Sequence, residues 1–115
     1  MITVYGLKNC DTCRKARQWL DGKGIAHRFH DVRADGLDER TIAGWVGELG
    51  HAALLNTRGT TWRGLPPAAR ERVDAAKATR LMHEHPALIK RPVFDLGSKR
   101  LVGFTDAVKK ALVTG

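Results

Sequence analysis

Hydrophobic and polar positions alternate differently along successive stretches of the chain, and the changes of period mark its elements. Ile2-Thr3-Val4-Tyr5 is a short run of strand formers. Gly6 to Asp11 reads as a loop. From Thr12 the period lengthens: Cys13, Ala16, Trp19 and Leu20 fall on one helical face, and Gly22 and Gly24 stop that helix. Ala26 to Val32 reads as a second strand. Strand, helix and strand within about 30 residues form a βαβ unit, which favours parallel pairing and a right-handed crossover. Asp38 is placed to cap the next helix, whose stripe Ile42, Trp45, Val46 and Leu49 follows i, i+3, i+4, i+7 up to Gly50. Leu54 to Gly64 reads as a loop. Pro66 and Pro67 suit the first turn of a helix. A further helix from about Asp74 to Glu84 turns Ala78, Leu81 and Met82 inward and ends at Pro86. Pro92-Val93-Phe94 and Arg100-Leu101-Val102 read as a hairpin around Leu96 to Lys99. Thr105 caps a last helix through Leu112, with Asp106 favourable in its first turn. The pattern predicts an α/β fold with a mixed sheet, the middle helices forming an insertion into a smaller α/β core.

Length adds that one domain is expected, since 115 residues are fewer than an average domain of about 150. Composition adds little: 43% apolar and 28% charged residues are ordinary for a folded protein. The longest apolar run is Ala52 to Leu55, far short of the roughly 20 residues that span a membrane. The first residues have neither a basic nor an apolar leader segment, so a cytoplasmic protein is expected. The net charge of +8 favours anionic partners such as nucleic acid, acidic protein surfaces, oxyanions or glutathione. The few aromatic residues do not interleave with the basic ones, which argues against a platform for single-stranded nucleic acid. No apolar surface stripe is left over, so a monomer is expected.

The chemistry lies in Cys10-Asp11-Thr12-Cys13. A C-x-x-C after a strand and at the start of a helix is the setting of a redox pair. The unpaired N–H groups and positive dipole of a helix start favour thiolate, so Cys10 should have a lowered pKa. Lys8 and Arg14 are expected to add positive charge. Residues three apart on a helix lie close, so Cys13 can close a disulfide with Cys10 and resolve a mixed disulfide there. Two plainer readings compete: two structural cysteines, or zinc bound by Cys10, Cys13, His27 and His30. The histidine pair has x2 spacing and falls on a predicted strand, where residues three apart face opposite sides, so no metal is expected. His83 and His85 do not share a helical face. Arg91-Pro92 opens the third strand, and the residue type alone does not make that peptide cis.

Three stretches in order carry a resemblance: Tyr5-Gly-Leu-Lys-Asn-Cys10-Asp-Thr-Cys13-Arg14-Lys-Ala, Leu55-Asn-Thr-Arg-Gly-Thr-Thr-Trp62-Arg, and His85-Pro-Ala-Leu-Ile-Lys-Arg91-Pro92-Val. Together they resemble the thioredoxin-like arsenate reductase (ArsC) family, which includes Spx-type redox regulators, and are most like its small branch of glutathione-dependent thiol reductases. The resemblance spans nearly the whole chain. It implies a thioredoxin-like core with a mixed four-stranded sheet, a helical subdomain inserted over about residues 36–86 of a single domain, and a cis peptide before Pro92. The family nucleophile matches Cys10, at the head of a Cys-x-x-x-Arg pattern completed by Arg14, and the arginine before the family's proline matches Arg91. Two departures matter. Arsenate reductases of this type carry further anion-binding arginines where this chain has Asn56 and Gly103, which argues against arsenate reduction. They also lack a counterpart of Cys13, whereas Spx-type proteins have such a pair.

The expected function is therefore a thiol–disulfide oxidoreductase with glutathione as co-substrate and no bound cofactor. Cys10, Cys13, Arg14 and Arg91 form the candidate catalytic set, and Lys8, Asn9, Arg91 and Pro92 the candidate substrate contacts. The alternative that the resemblance implies is an Spx-like redox sensor that docks on RNA polymerase, with the Cys10–Cys13 disulfide as its switch.

Overall fold

A computed structural model of the chain describes residues 1–114. Its backbone runs β1 (Ile2–Gly6), α1 (Asp11–Gly22), β2 (His27–Asp31), α2 (Glu39–Leu49), α3 (His51–Leu54), α4 (Thr60–Arg63), α5 (Pro67–Arg70), α6 (Ala75–Glu84), a 3-10 turn at Pro86–Leu88, β3 (Val93–Asp95), β4 (Arg100–Val102) and α7 (Asp106–Thr114). The chain divides into two compact units, residues 36–90 and the remainder on either side of them.

The outer unit contains the sheet, in strand order β2-β1-β3-β4. β1 pairs with β2 in parallel, with Gly6 opposite Asp31, and with β3 in antiparallel, with Val4 opposite Phe94. β3 and β4 form the expected hairpin. This mixed four-stranded sheet with α1 and α7 is the thioredoxin-like α/β arrangement. Ala16 and Leu20 on α1, Val4 on β1, Phe94 on β3, and Val108 and Leu112 on α7 make one buried cluster. The spacing of Ala16 and Leu20 with buried Cys13 is the stripe that made this stretch helical. Leu20 is fully buried, so truncating it to alanine should cost about 2–5 kcal/mol. Trp19 and Phe104 meet edge to face at a centroid distance of 5.8 Å on the margin of the same core.

The inner unit is helical. Asp38 caps α2 through Arg40 N–H, and Asp74 caps α6 through Lys77 N–H, each replacing an N–H partner that the helix cannot supply. α2 packs on α6 through buried Ile42, Trp45 and Val46 and buried Ala78, Leu81 and Met82. Leu55 bridges Ile89 in antiparallel, flanked by Asn56 N–H to Leu88 O and Lys90 N–H to Leu54 O, both 2.7 Å. Pro67 opens α5 at its first position. α4 lies within the loop expected over Leu54 to Gly64, and α3 in the stretch just before it, to which the sequence pattern assigns no element. Each is a single four-residue turn, too short to impose a helical period on the hydrophobic pattern. Among the described residues, no helix is long and apolar enough to cross a membrane.

Candidate functional site

Cys10 is the N-cap of α1, with extended backbone angles of φ −88° and ψ 121°. Its N–H donates to Leu7 O at 3.1 Å, and its carbonyl accepts from Arg14 N–H at 3.0 Å. The turn before the helix and the first turn of the helix thus both hold its backbone, and its side chain is half-buried. Cys13, one turn on, faces the sheet and is 1% exposed. Both are free thiols.

The two sulfurs differ in acidity. Burial works to raise the Cys10 thiol, yet its pKa is lowered on balance. The Cys13 backbone N–H, the Cys13 thiol and the Arg91 guanidinium can each hydrogen-bond a Cys10 thiolate, and the Arg91 charge adds to them. As a thiol, Cys10 makes no capping hydrogen bond, so the N–H at this position is available to the thiolate. Cys13 moves the other way. Burial and the neighbouring Cys10 push it up to about 11, against opposing contributions from Leu7 N–H and Arg91.

Arg91 is therefore the cation that acts on Cys10. The expectation that Lys8 and Arg14 supply that charge is corrected. Arg14 is exposed and does not line the cavity at Cys10. Its fixed relation to Cys10 is the backbone bond of the first helical turn, while its side chain projects outward. Lys8 does line the cavity, but its charge acts on Asp31. The Arg91–Pro92 peptide is cis. Pro92 is fully buried, and its carbonyl accepts from Gly103 N–H at 2.9 Å. It does not line the cavity, so a substrate contact through its ring is also corrected.

The cavity, about 430 Å³, is lined by Leu7, Lys8, Asn9, Cys10, Asp31, Arg33, Ala34 and Arg91. It lies beyond the carboxyl ends of the parallel strands β1 and β2, where α/β sheets commonly bind ligands. Asp31 and Arg33 were not expected from sequence. Asp31 ends β2 and is only 5% exposed. One carboxylate oxygen accepts from Arg33 N–H at 2.9 Å and Ala34 N–H at 2.8 Å, and the other from Lys8 N–H at 3.0 Å. Ala34 N–H leads the causes that lower its pKa, outweighing burial, with the Lys8 and Arg33 N–H groups and the Lys8 charge assisting. Asp31 thereby ties the loop before Cys10 to the end of the neighbouring strand. The signal for it was the parallel pairing itself, which brings residues 6 and 31 side by side.

The other residues singled out in the sequence have separate settings. His27 Nδ1 lies 2.9 Å from Ile25 O, and His30 packs against Tyr5 at a centroid distance of 5.0 Å. Among the described residues, no three His, Cys, Asp or Glu side chains are grouped as a metal site. Asn56 Oδ1 accepts from Arg58 N–H at 3.1 Å. Gly103 has φ +86°.

With this geometry in place, comparison with known proteins adds a lineage. Residues 5–112 match the ArsC family. The solved structure of the YffB protein is 44% identical and superposes with a TM-score of 0.93 over 97% of this chain and 98% of its own. An arsenate reductase (ArsC) related protein from Brucella melitensis is 45% identical, with a TM-score of 0.78 over 96% of this chain and 92% of its own. The global transcriptional regulator Spx of Bacillus subtilis is 31% identical over 92% of this chain and 82% of its own.

Proposed function

The chain belongs to the ArsC family, and from that premise we propose that it is a thiol–disulfide oxidoreductase in which Cys10 attacks and Cys13 resolves. The observation that carries this reading is the opposite displacement of the two thiols. Cys10 is lowered beside Arg91, whereas Cys13 is buried and held at about 11. A nucleophile must be thiolate at working pH, and a resolving thiol must wait.

The steps balance as follows. The Cys10 thiolate attacks one sulfur of a substrate disulfide R–S–S–R′, forming a Cys10–S–S–R bond and releasing R′S⁻, which takes a proton from solvent. Consuming the Cys10 thiolate removes the neighbour that helps to hold Cys13 up. Cys13 then loses its proton and attacks the Cys10 sulfur, closing Cys10–Cys13 and releasing RS⁻. The substrate has gained two electrons and the protein has lost two. Two glutathione thiols restore the dithiol and leave as glutathione disulfide.

The lining supports an anionic substrate. Lys8, Arg33 and Arg91 face the cavity, and the one carboxylate among them, Asp31, is engaged by three backbone N–H groups. Charge-assisted hydrogen bonds to a substrate carboxylate contribute about 1.5–3 kcal/mol each. Glutathione carries two carboxylates and suits this set, with Asn9 as a neutral donor.

Turnover of a glutathione mixed disulfide tests the reading. Cys10→Ser should abolish it, while Cys13→Ser should accumulate a stable mixed disulfide on Cys10, seen as a mass increase. Absence of turnover with every glutathione-based disulfide would remove the assignment. A second reading rests on the Spx relative, which is named a global transcriptional regulator: a redox sensor whose disulfide state controls binding to RNA polymerase. Capture of the polymerase in one redox state only, without disulfide turnover, would favour it.

A further inference from the structure

A second cavity, about 600 Å³, lies wholly within residues 36–90 and has no part in the thiol chemistry proposed above. His51, Arg58, Arg70 and Lys90 supply its basic lining. Leu55, Val73 and Trp62 supply its apolar wall, with Asn56 and Thr57 as neutral polar groups. No carboxylate lines it. Its size lies within the range of small-molecule sites. Three cations, Arg58, Arg70 and Lys90, in a lining that holds no acidic side chain favour an anionic ligand.

The wall is fixed before any ligand arrives. The Leu54–Asn56 segment is clamped to Leu88–Lys90 by two 2.7 Å backbone bonds. Asn56 Oδ1 holds Arg58 N–H, and Arg63 Nη1 donates to Arg58 O at 2.7 Å, so the backbone that presents Arg58 is tied at both its N–H and its carbonyl. A Cβ on Gly59 would lie 3.1 Å from Asn56 Nδ2, so a larger residue would crowd this turn. Such order reduces the entropy lost on binding.

We infer that this cavity binds a small molecule with a planar apolar body and a phosphate group, the body against Trp62 and Leu55 and the phosphate among Arg58, Arg70 and Lys90. The charge count favours a phosphate dianion over a single carboxylate, and arginine matches phosphate oxygens two at a time. The half-buried indole of Trp62 offers a flat ring a stacking surface.

Titration of the isotope-labelled full chain with phenyl phosphate, followed by amide and indole NMR shifts, tests this. Saturable shifts are expected at Asn56 to Arg58, Trp62, Arg70 and Lys90, with at least tenfold tighter binding than inorganic phosphate or phenol alone. Arg58→Gln and Arg70→Gln change exposed side chains. Each should weaken phenyl phosphate binding about fivefold or more while leaving the remaining spectrum folded. Adenosine monophosphate in a parallel titration shows whether the planar body extends to a nucleoside, and its binding at the same residues would strengthen the assignment. No saturable shift at millimolar phenyl phosphate, equal binding of inorganic phosphate, or unchanged affinity in both variants would overturn it. Shifts spread over the whole basic surface with a single-stranded oligonucleotide, and none localised with phenyl phosphate, would overturn it in favour of a polyanion surface.

Discussion

Gly6 leaves the space that the Cys13 sulfur fills. A Cβ on residue 6 would lie 2.5 Å from Cys13 Sγ and 3.3 Å from its Cβ. Real Cβ atoms do not approach a sulfur that closely, and Cys13 is fully buried with little room to retreat. β1 therefore ends in glycine because the Cys13 thiol packs against its backbone.

Gly6→Ala should destabilise the protein by about 1–3 kcal/mol through overpacking. Because the displaced group is Cys13 itself, the same substitution should slow closure of the Cys10–Cys13 disulfide. Denaturation by urea measures the first effect, and stopped-flow oxidation of the dithiol the second. Unchanged stability together with unchanged closure would mean that the sulfur has another place to go.

The pH dependence of alkylation should separate the thiols. Cys10 should react with a midpoint below that of an ordinary cysteine, and Cys13 only near its value of about 11. Arg91→Met removes both a hydrogen-bond donor and a positive charge from the Cys10 thiolate, so the Cys10 midpoint should rise. Arg14→Ala should leave it in place, since the Arg14 side chain is exposed outside the cavity. A midpoint that moves with Arg14 and not with Arg91 would reverse the assignment of the cation.

The contrast between these arginines shows how far the sequence can be read. Helices α1, α2 and α6 were legible because each carries three or more apolar residues at helical spacing, and α2 and α6 also begin at a capping aspartate. The C-x-x-C at a strand-to-helix turn was legible for the same local reason. What was not legible is decided by partners far along the chain. Arg14 is near Cys10 in sequence but projects to solvent, while Arg91, 81 positions away, was reached only through a family resemblance. Asp31 and Arg33 enter the cavity through the register of two parallel strands, which no local pattern encodes. The four-residue helices α3 and α4 leave no period to detect.

Asp31 gives a pH test of the loop clamp. Its folded pKa is lowered, so the ionised form is favoured by folding. Its contribution is fully present above the unfolded carboxylate value of about 3.9, and is lost as the pH falls through the lower folded value. Asp31→Asn should cost about 1.5–3 kcal/mol at neutral pH, from lost charge-assisted bonds to the Lys8, Arg33 and Ala34 N–H groups. The gap between native protein and variant should narrow as the pH drops below about 4. Urea denaturation from pH 7 to pH 2 reads it. A gap of constant size would show that the carboxylate charge contributes nothing.

Arsenate chemistry supplies the last test. The family resemblance places anion-binding arginines of arsenate reductases at Asn56 and Gly103, and restoring them would be the obvious route to that activity. The structure argues that it fails, because both positions already serve the backbone. Asn56 Oδ1 holds Arg58 N–H. Gly103 sits at φ +86°, where a side chain costs about 1–3 kcal/mol, and its N–H donates to the carbonyl of Pro92 beside Arg91. The native protein should consume glutathione at background rate when arsenate is added, and Asn56→Arg with Gly103→Arg should lower thermal stability without raising that rate. Restored arsenate turnover in a variant of native stability would show that the backbone at both sites tolerates arginine, and that missing charge alone had kept the reaction away.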